Sequence, residues 1–331
     1  MARYTRREFI GDAVLAGGVM ALDGLAEAQN STVDIPKRPL GKTRLSTSIL
    51  GAGGYYLGSA KDDATAKLIV DQALDAGINF FDNCWEYHDG VSEERLGAAL
   101  KGKRDKVILM TKVCTYGRGK ALAMEMLEAS LRRLQTDHLD VWQIHEVIYD
   151  NDPDLIFAAG GAAEALMEAK RQGKVRFVGF TGHKDPAIHL KMLSHGFSFD
   201  TVQMPLNAFD ASFRSFEQHV LPEANRLGIA PLGMKSLGGS GEMVRKGGVT
   251  PEEGLRYAMS LPVAVTISGM ETPEVLQQNL AVARGFKPLS ASQMQALRER
   301  SKHELFKTTK KYDGKEGRKV HEFPDTDELP A

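Results

Sequence analysis

From Ser48 onward, short apolar runs alternate with longer stretches whose apolar side chains recur at helical spacing. That pattern is expected of parallel strands joined by crossover helices. The apolar runs predict strands over 48–50, 79–82, 107–111, 141–144, 177–180, 201–204, 229–234 and 265–267. The longer segments predict helices over 64–76, 93–100, 121–134, 159–172, 187–194, 216–227, 252–260 and 273–283. Glycines stand where a helix would need a C-terminal cap, as in Ala76-Gly77, Gln172-Gly173 and Leu227-Gly228. Eight regular repeats predict a single (β/α)8 TIM barrel, an α/β fold, over a doubly wound sheet. Residues 36–46 read as a β-hairpin turning at Gly41-Lys42, placed to plug the N-terminal mouth. Residues 290–306 predict one more helix, and the charged stretch 307–331 reads as a C-terminal tail.

The first residues do not share this pattern. Thr5-Arg6-Arg7-Glu8-Phe9-Ile10 precedes a weakly apolar run from Ala13 to Leu22 and then Ala26-Glu27-Ala28. Paired arginines, a run too short to span a bilayer and small side chains for a peptidase predict a twin-arginine (Tat) signal peptide over 1–28. The chain would then use the Tat translocon and a signal peptidase and end periplasmic or otherwise exported. If the signal is unused, the same segment is an attached helix and the protein cytoplasmic. The barrel domain begins at residue 29 on this reading and runs to 306.

Composition narrows the chemistry. The 331 residues carry 42 Lys and Arg against 43 Asp and Glu, so no global field favours nucleic acid or anionic lipid. Without residues 1–28 the chain keeps 39 of each sign. Two cysteines, Cys84 and Cys114, are too few for a disulfide framework, a four-cysteine zinc site or an iron–sulfur cluster. No transmembrane segment is expected in the mature chain.

In such a barrel, chemistry sits at the C-terminal strand ends. Four polar residues stand at or just beyond the predicted ends: Asp82, with Tyr87 five residues later, then Lys112 and His145. Together they can assemble a proton donor for a carbonyl. Tyrosine has an unperturbed pKa of about 10, and a neighbouring Lys112 ammonium is expected to lower it and make Tyr87 a better acid. Asp82 would hold Lys112 charged, and His145 would hydrogen-bond the carbonyl oxygen. No side chain supplies a hydride, so a nicotinamide cofactor is implied. A metal-dependent hydrolase would need clustered histidines and carboxylates, which the strand ends do not offer, and no metal is expected.

Asp82-x4-Tyr87, Thr111-Lys112 and Gln143-Ile144-His145 resemble motifs of the aldo/keto reductase family. So do Gly173-Lys174-Val175-Arg176-Phe177-Val178-Gly179 and Leu131-Arg132-Arg133-Leu134-Gln135-Thr136-Asp137. The resemblance runs from about residue 38 to 297. It implies an NAD(P)H-dependent oxidoreductase interconverting a carbonyl (aldehyde, ketone or sugar) and an alcohol. Asp82, Tyr87, Lys112 and His145 would form the catalytic tetrad, with Tyr87 the general acid in reduction and base in oxidation.

The resemblance further implies where a cofactor, NADP or NAD, would lie. Thr181-Gly182 stands where the family has Ser-Asn, with Gln203 on the next strand, so one carboxamide bond would be lost or else taken over by His183 or Asn207. Met234 stands where an aromatic commonly stacks on the nicotinamide. Lys235, Leu237 and Gly238, with Gly239 and Gly241, would approach the pyrophosphate. Ser268, Gly269, Glu271, Gln278 and Asn279 would meet the adenosine end. Relatives that prefer NADP carry basic residues around the 2′-phosphate, whereas Gly269, Glu271 and Val275 are not basic. NAD is therefore expected to serve at least as well. Tyr55, Tyr56, Trp85 and His88, in the first two βα loops, are candidates for lining a substrate pocket. A different reading, a nicotinamide-binding sensor or accessory subunit with little turnover, conflicts with an intact tetrad.

Overall fold

The computed structural model describes residues 34–113, 118–239, 241, 244 and 248–301. The predicted export signal, the C-terminal tail and residues 302–306 of the last predicted helix lie outside these. Eight parallel strands close into a barrel: β3 (Leu50–Gly53), β4 (Phe80–Asp82), β5 (Ile108–Val113), β6 (Leu139–Val147), β7 (Val175–Gly182), β8 (Thr201–Pro205), β9 (Ala230–Met234) and β10 (Val265–Gly269). β10 pairs with β3 to complete the ring. The barrel is the predicted one. Among the described residues no helix is long and apolar enough to cross a membrane.

Alternation along each strand divides the core in two. Outward side chains such as Leu109, Trp142, Val178 and Val202 pack with the surrounding helices in one large cluster. Inward ones, including Phe80, Met110, Val141, Leu232 and Ile267, form a second cluster inside the barrel. Leu40 joins this inner cluster and is fully buried. It comes from the N-terminal hairpin, in which β1 (Lys37–Pro39) pairs antiparallel with β2 (Ser46–Ser48). Gly41, at φ +54°, lies so close to β9 that a Cβ there would stand 3.0 Å from Ala230 N. Glycine is thus required by both conformation and approach. Arg38 ties the hairpin down by donating to Met259 O at 2.7 Å and Val263 O at 2.9 Å.

Several boundaries differ from expectation. The predicted first strand straddles two elements: β2 ends at Ser48, and the barrel strand begins at Leu50 and continues through Gly51-Ala52-Gly53. Small residues there hide the strand from a search for apolar runs. The predicted helix over 159–172 starts later, at Ala162–Arg171, behind a short helix Asp152–Phe157. Gly160, at φ +74°, separates the two. Strands β6 and β7 extend to Val147 and Gly182, so His145 and Thr181 lie within strands rather than beyond them.

Candidate active site

The alternation that seals the barrel floor also builds the site above it. Two residues beyond each inward apolar side chain stands an inward polar one: Asp82 above Phe80, Lys112 above Met110, and Gln143 then His145 above Val141. Interstrand register sets these side by side, with Asp82 opposite Met110 and Lys112 opposite Gln143. Tyr87 arrives from the loop after β4. Its backbone N–H donates to Cys84 O at 3.1 Å, and the turn continues through His88 and Asp89 at positive φ.

Lys112 is almost wholly buried, which for an ammonium demands partners. It forms an ion pair with Asp82, donates to Asn83 O at 2.7 Å, and lies 3.3 Å from the Tyr87 hydroxyl. The Asp82 carboxylate thus compensates the charge expected to acidify Tyr87. Burial, followed by the charges of Asp82, Cys84, Glu86 and Glu146, pushes the Tyr87 phenol well above its ordinary value. This corrects the sequence-based direction: Tyr87 is held as a protonated donor, not as an incipient phenolate.

His145 faces Glu86, with Nε2 3.3 Å from Oε1, while its buried Nδ1 has no hydrogen-bond partner. The strand end carrying it is clamped by Arg118, which donates to His145 O and Glu146 O, both at 2.8 Å. Arg118 Nε also donates to Asp152 Oδ1 at 2.8 Å, and both side chains are fully buried. Asp152 in turn accepts from the Ile148 and Tyr149 N–H groups. Sequence reading missed this clamp, because nothing in one sequence pairs an arginine with an aspartate 34 residues away.

These residues open onto a cavity of about 590 Å3. Of the residues singled out from sequence, Asp82, Tyr87, His145, Gln203, Met234, Lys235, Leu237, Ser268, Gly269, Tyr55 and Tyr56 line it. Lys112 stands behind Tyr87. Glu86, Glu146 and His183 also line it, although none was predicted as a substrate contact. Tyr56 spans the mouth: its hydroxyl donates to Gly239 O at 2.6 Å, and its ring fills the space a Cβ at Gly269 would need, 2.0 Å away.

Other expectations are corrected. Trp85 does not face the cavity; it is buried in the outer core beneath the Arg133 guanidinium, 5.1 Å from the ring centroid. His88 lies against Tyr55 and bonds its carbonyl through Nε2 at 2.8 Å instead of lining the pocket. Asn207 turns into its own loop, accepting from Phe209 and Asp210 N–H groups and donating to Asp210 and Lys235 O, so it is not presented to a carboxamide. Asn279 is buried and donates to Ser268 Oγ at 3.2 Å from behind the cavity wall, while Gln278 is exposed. Histidines and carboxylates do cluster at the strand ends. Potential ligand atoms of Cys84, Glu86 and His145 lie within 4.8 Å of one another, because the loop after β4 folds back across β6.

With this geometry in hand, comparison with known proteins is decisive. The aldo/keto reductase family profile matches residues 49–246, well over half the chain. The chain belongs to the aldo/keto reductase family. A Bacillus subtilis relative, "Uncharacterized oxidoreductase YqkF", is 28% identical over 312 residues, 82% of this chain and 98% of that one. A "6-dehydroglucose reductase" from Novosphingobium aromaticivorans is 31% identical over 219 residues, 61% of this chain and 69% of its own. Among solved structures, the holo form of aldo-keto reductase AKR11C1 from Bacillus halodurans superposes with a TM-score of 0.68 at 25% identity. The match covers 81% of this chain and 97% of that one.

Aldo/keto reductases are NAD(P)H-dependent oxidoreductases, and this cavity fits such a cofactor. Thr181 and Gln203 are register partners on β7 and β8. Both Thr181 Oγ1 and Gln203 Oε1 are buried without a hydrogen-bond partner, at a cost of about 1–3 kcal/mol each. A carboxamide offers these two atoms the partners they lack. His183, which would take over that bond on the family resemblance, lines the same cavity and directs Nδ1 to Glu146.

Proposed function

We propose that this aldo/keto reductase interconverts a small carbonyl and its alcohol, with Tyr87 moving the proton at its hydroxyl. The observation that carries the reading is the Tyr87 hydroxyl at 3.3 Å from a buried Lys112 that Asp82 holds in place, at the edge of the cavity. The nicotinamide, when bound, supplies or accepts the hydride. Thr181 and Gln203 would hold its carboxamide, Met234 would pack on the ring, and Lys235 with the Leu237-Gly238-Gly239 backbone would take the pyrophosphate. Ser268, Gly269 and Glu271 would meet the adenosine end, where a carboxylate suits the ribose hydroxyls of NAD better than the phosphate of NADP. His145 would orient the carbonyl oxygen.

Changing Tyr87→Phe tests this. Turnover of carbonyl substrates is expected to fall roughly 10²–10⁴-fold, while nucleotide binding, read by quenching of protein fluorescence, stays unchanged. Turnover that survived would exclude Tyr87 as the proton donor, and a wild type that bound nucleotide but turned over no carbonyl would favour a sensor. The proposal includes export by the twin-arginine route, supported by Arg6-Arg7, the apolar run and Ala26-Glu27-Ala28. N-terminal sequencing of protein from the periplasm should then begin at Gln29; an intact Met1 in the cytoplasm would reject it.

A further inference from the structure

His145 sits where the regular pairing of the barrel gives out. On one side the register of β6 with β5 runs no further than Ile144 opposite Val113. On the other side β6 advances from Ile144 to Val147 while β7 advances only from Phe180 to Gly182, so β6 carries an extra residue. His145 and Glu146 occupy that irregularity, and a bulge re-aims the side chains it carries. The imidazole meets Tyr87 edge to face at 6.2 Å, yet polar contacts do little to fix it. Its Nδ1 has no hydrogen-bond partner, and Nε2 meets Glu86 Oε1 at 3.3 Å. Backbone position therefore governs where the ring points.

Arg118 holds that backbone. It follows β5, the strand that carries Lys112, and donates Nη1 to His145 O and Nη2 to Glu146 O, both at 2.8 Å. Its Nε goes to Asp152 Oδ1 at 2.8 Å, and Asp152 Oδ2 accepts from the Ile148 and Tyr149 N–H groups, which anchors the chain just beyond the bulge. The residues after Arg118 are tied to the same flank: Gly119 bridges Gly161, and the Lys120 N–H donates to Gly160 O at 2.7 Å. A planar guanidinium can bond two successive carbonyls and a carboxylate at once, whereas an ammonium on a flexible stem does not hold that geometry.

Resting on the carbonyl-reductase reading, we propose that Arg118, seated on Asp152, is a positioning residue for the reduction. By gripping both bulge carbonyls from the strand of Lys112, it keeps the His145 imidazole registered against the Tyr87 hydroxyl. Arg118 is fully buried and does not line the cavity, so its effect reaches the substrate through His145.

The test follows reduction of 4-nitrobenzaldehyde by the full chain with NADH and with NADPH. Arg118→Lys should lower kcat/KM for the aldehyde roughly 10–100-fold, the cost of misplacing a group that orients the substrate, while the dissociation constant of the nucleotide stays unchanged. The double variant Arg118→Met with Asp152→Asn leaves no unpaired buried charge and should show the same loss, which keeps the idea testable if the single variant folds poorly. Placed on His145→Ala, Arg118→Lys should cost less than about twofold more, because both changes remove one function. The ring signal of His145 in NMR, assigned by its absence from His145→Ala, should move in Arg118→Lys while that of His189 stays. Folded variants with wild-type kcat/KM, or a loss as large on His145→Ala as on the wild type, overturn the positioning role. If His145→Ala has no measurable rate, a His145 signal unmoved in Arg118→Lys overturns it instead. A wild type that binds nucleotide but reduces neither this aldehyde nor glyceraldehyde brings down the carbonyl-reductase reading itself, and this proposal with it.

Discussion

The two mouths of the barrel are made from the opposite ends of the same strands, yet they treat buried polar groups differently. At the lower mouth Leu40 fills the apolar interior, and the Arg38 guanidinium is bonded to strand-flanking carbonyls. At the upper mouth Thr181 Oγ1, Gln203 Oε1 and His145 Nδ1 are buried and unpaired around a cavity. Leaving such atoms unpaired costs stability, and an end that carries that cost is one arranged for a ligand. The lower mouth holds the fold together, and the upper mouth draws on that stability.

If the division is real, mutations at the two ends should separate activity from stability. The largest effect expected is at the top: Tyr87→Phe loses roughly 10²–10⁴-fold in turnover while unfolding free energy falls by only about 0.5–1.5 kcal/mol, the worth of the hydroxyl's hydrogen bond to Lys112. Leu40→Ala at the bottom should do the reverse. Removing a fully buried side chain from the inner cluster is expected to cost about 2–5 kcal/mol, read by urea denaturation, with kcat unaltered wherever the protein remains folded. A tenfold loss of kcat in Leu40→Ala would show that the floor of the barrel transmits strain to the tetrad.

The comparison also explains what the chain alone reveals. Strand alternation and glycine caps make the barrel legible, since one apolar residue in two suffices to show a buried face. Asp82, Lys112 and His145 are legible as candidates because they break apolar runs at the end where chemistry sits. The direction of the Tyr87 shift is not, because it depends first on burial and then on the negative charges of Asp82, Cys84, Glu86 and Glu146 that folding brings around the phenol. Trp85 and Asn207 were misplaced for a similar reason: a loop aromatic or amide reads the same whether it faces a pocket or its own backbone. The Arg118–Asp152 clamp and the Glu146–His183 pair join residues distant in sequence. Only the folded chain brings them together.

Acid should expose a further difference. His183 lines the upper cavity, whereas His189 sits outside the strands between the Phe180 and Phe216 rings, and burial pushes both down to about 3. Their folded pKa values lie below the unfolded value of about 6.5, so the unfolded chain binds more protons between the two. Stability is therefore full above about pH 6.5 and declines as pH falls toward 3. His189→Asn should flatten that acid limb in urea titrations while sparing catalysis. At the alkaline end the raised Tyr87 keeps its proton, so reductive turnover should show no loss from phenol ionisation up to about pH 10. A pH-rate profile for reduction falling with a midpoint near 8 would contradict that direction.

The smallest effect lies at the rim of the upper mouth, where the proposed reading puts the choice between dinucleotides. Glu271 precedes the helix Pro273–Arg284, whose first turn is capped by Thr272 accepting from the Val275 N–H at 3.3 Å. Val275 itself is buried, which leaves Glu271 as the ionisable side chain among the three positions expected around the ribose. Glu271→Lys replaces an anion by a cation at a partly exposed site, an exchange worth about 1 kcal/mol, or roughly fivefold. The ratio of kcat/KM for NADPH over NADH should rise by that factor, with most of the change in KM and none in the rate of Tyr87-dependent chemistry. An unchanged ratio would place the ribose elsewhere on the rim. A wild type already favouring NADPH strongly would remove the argument for NAD while leaving the carbonyl site below it untouched.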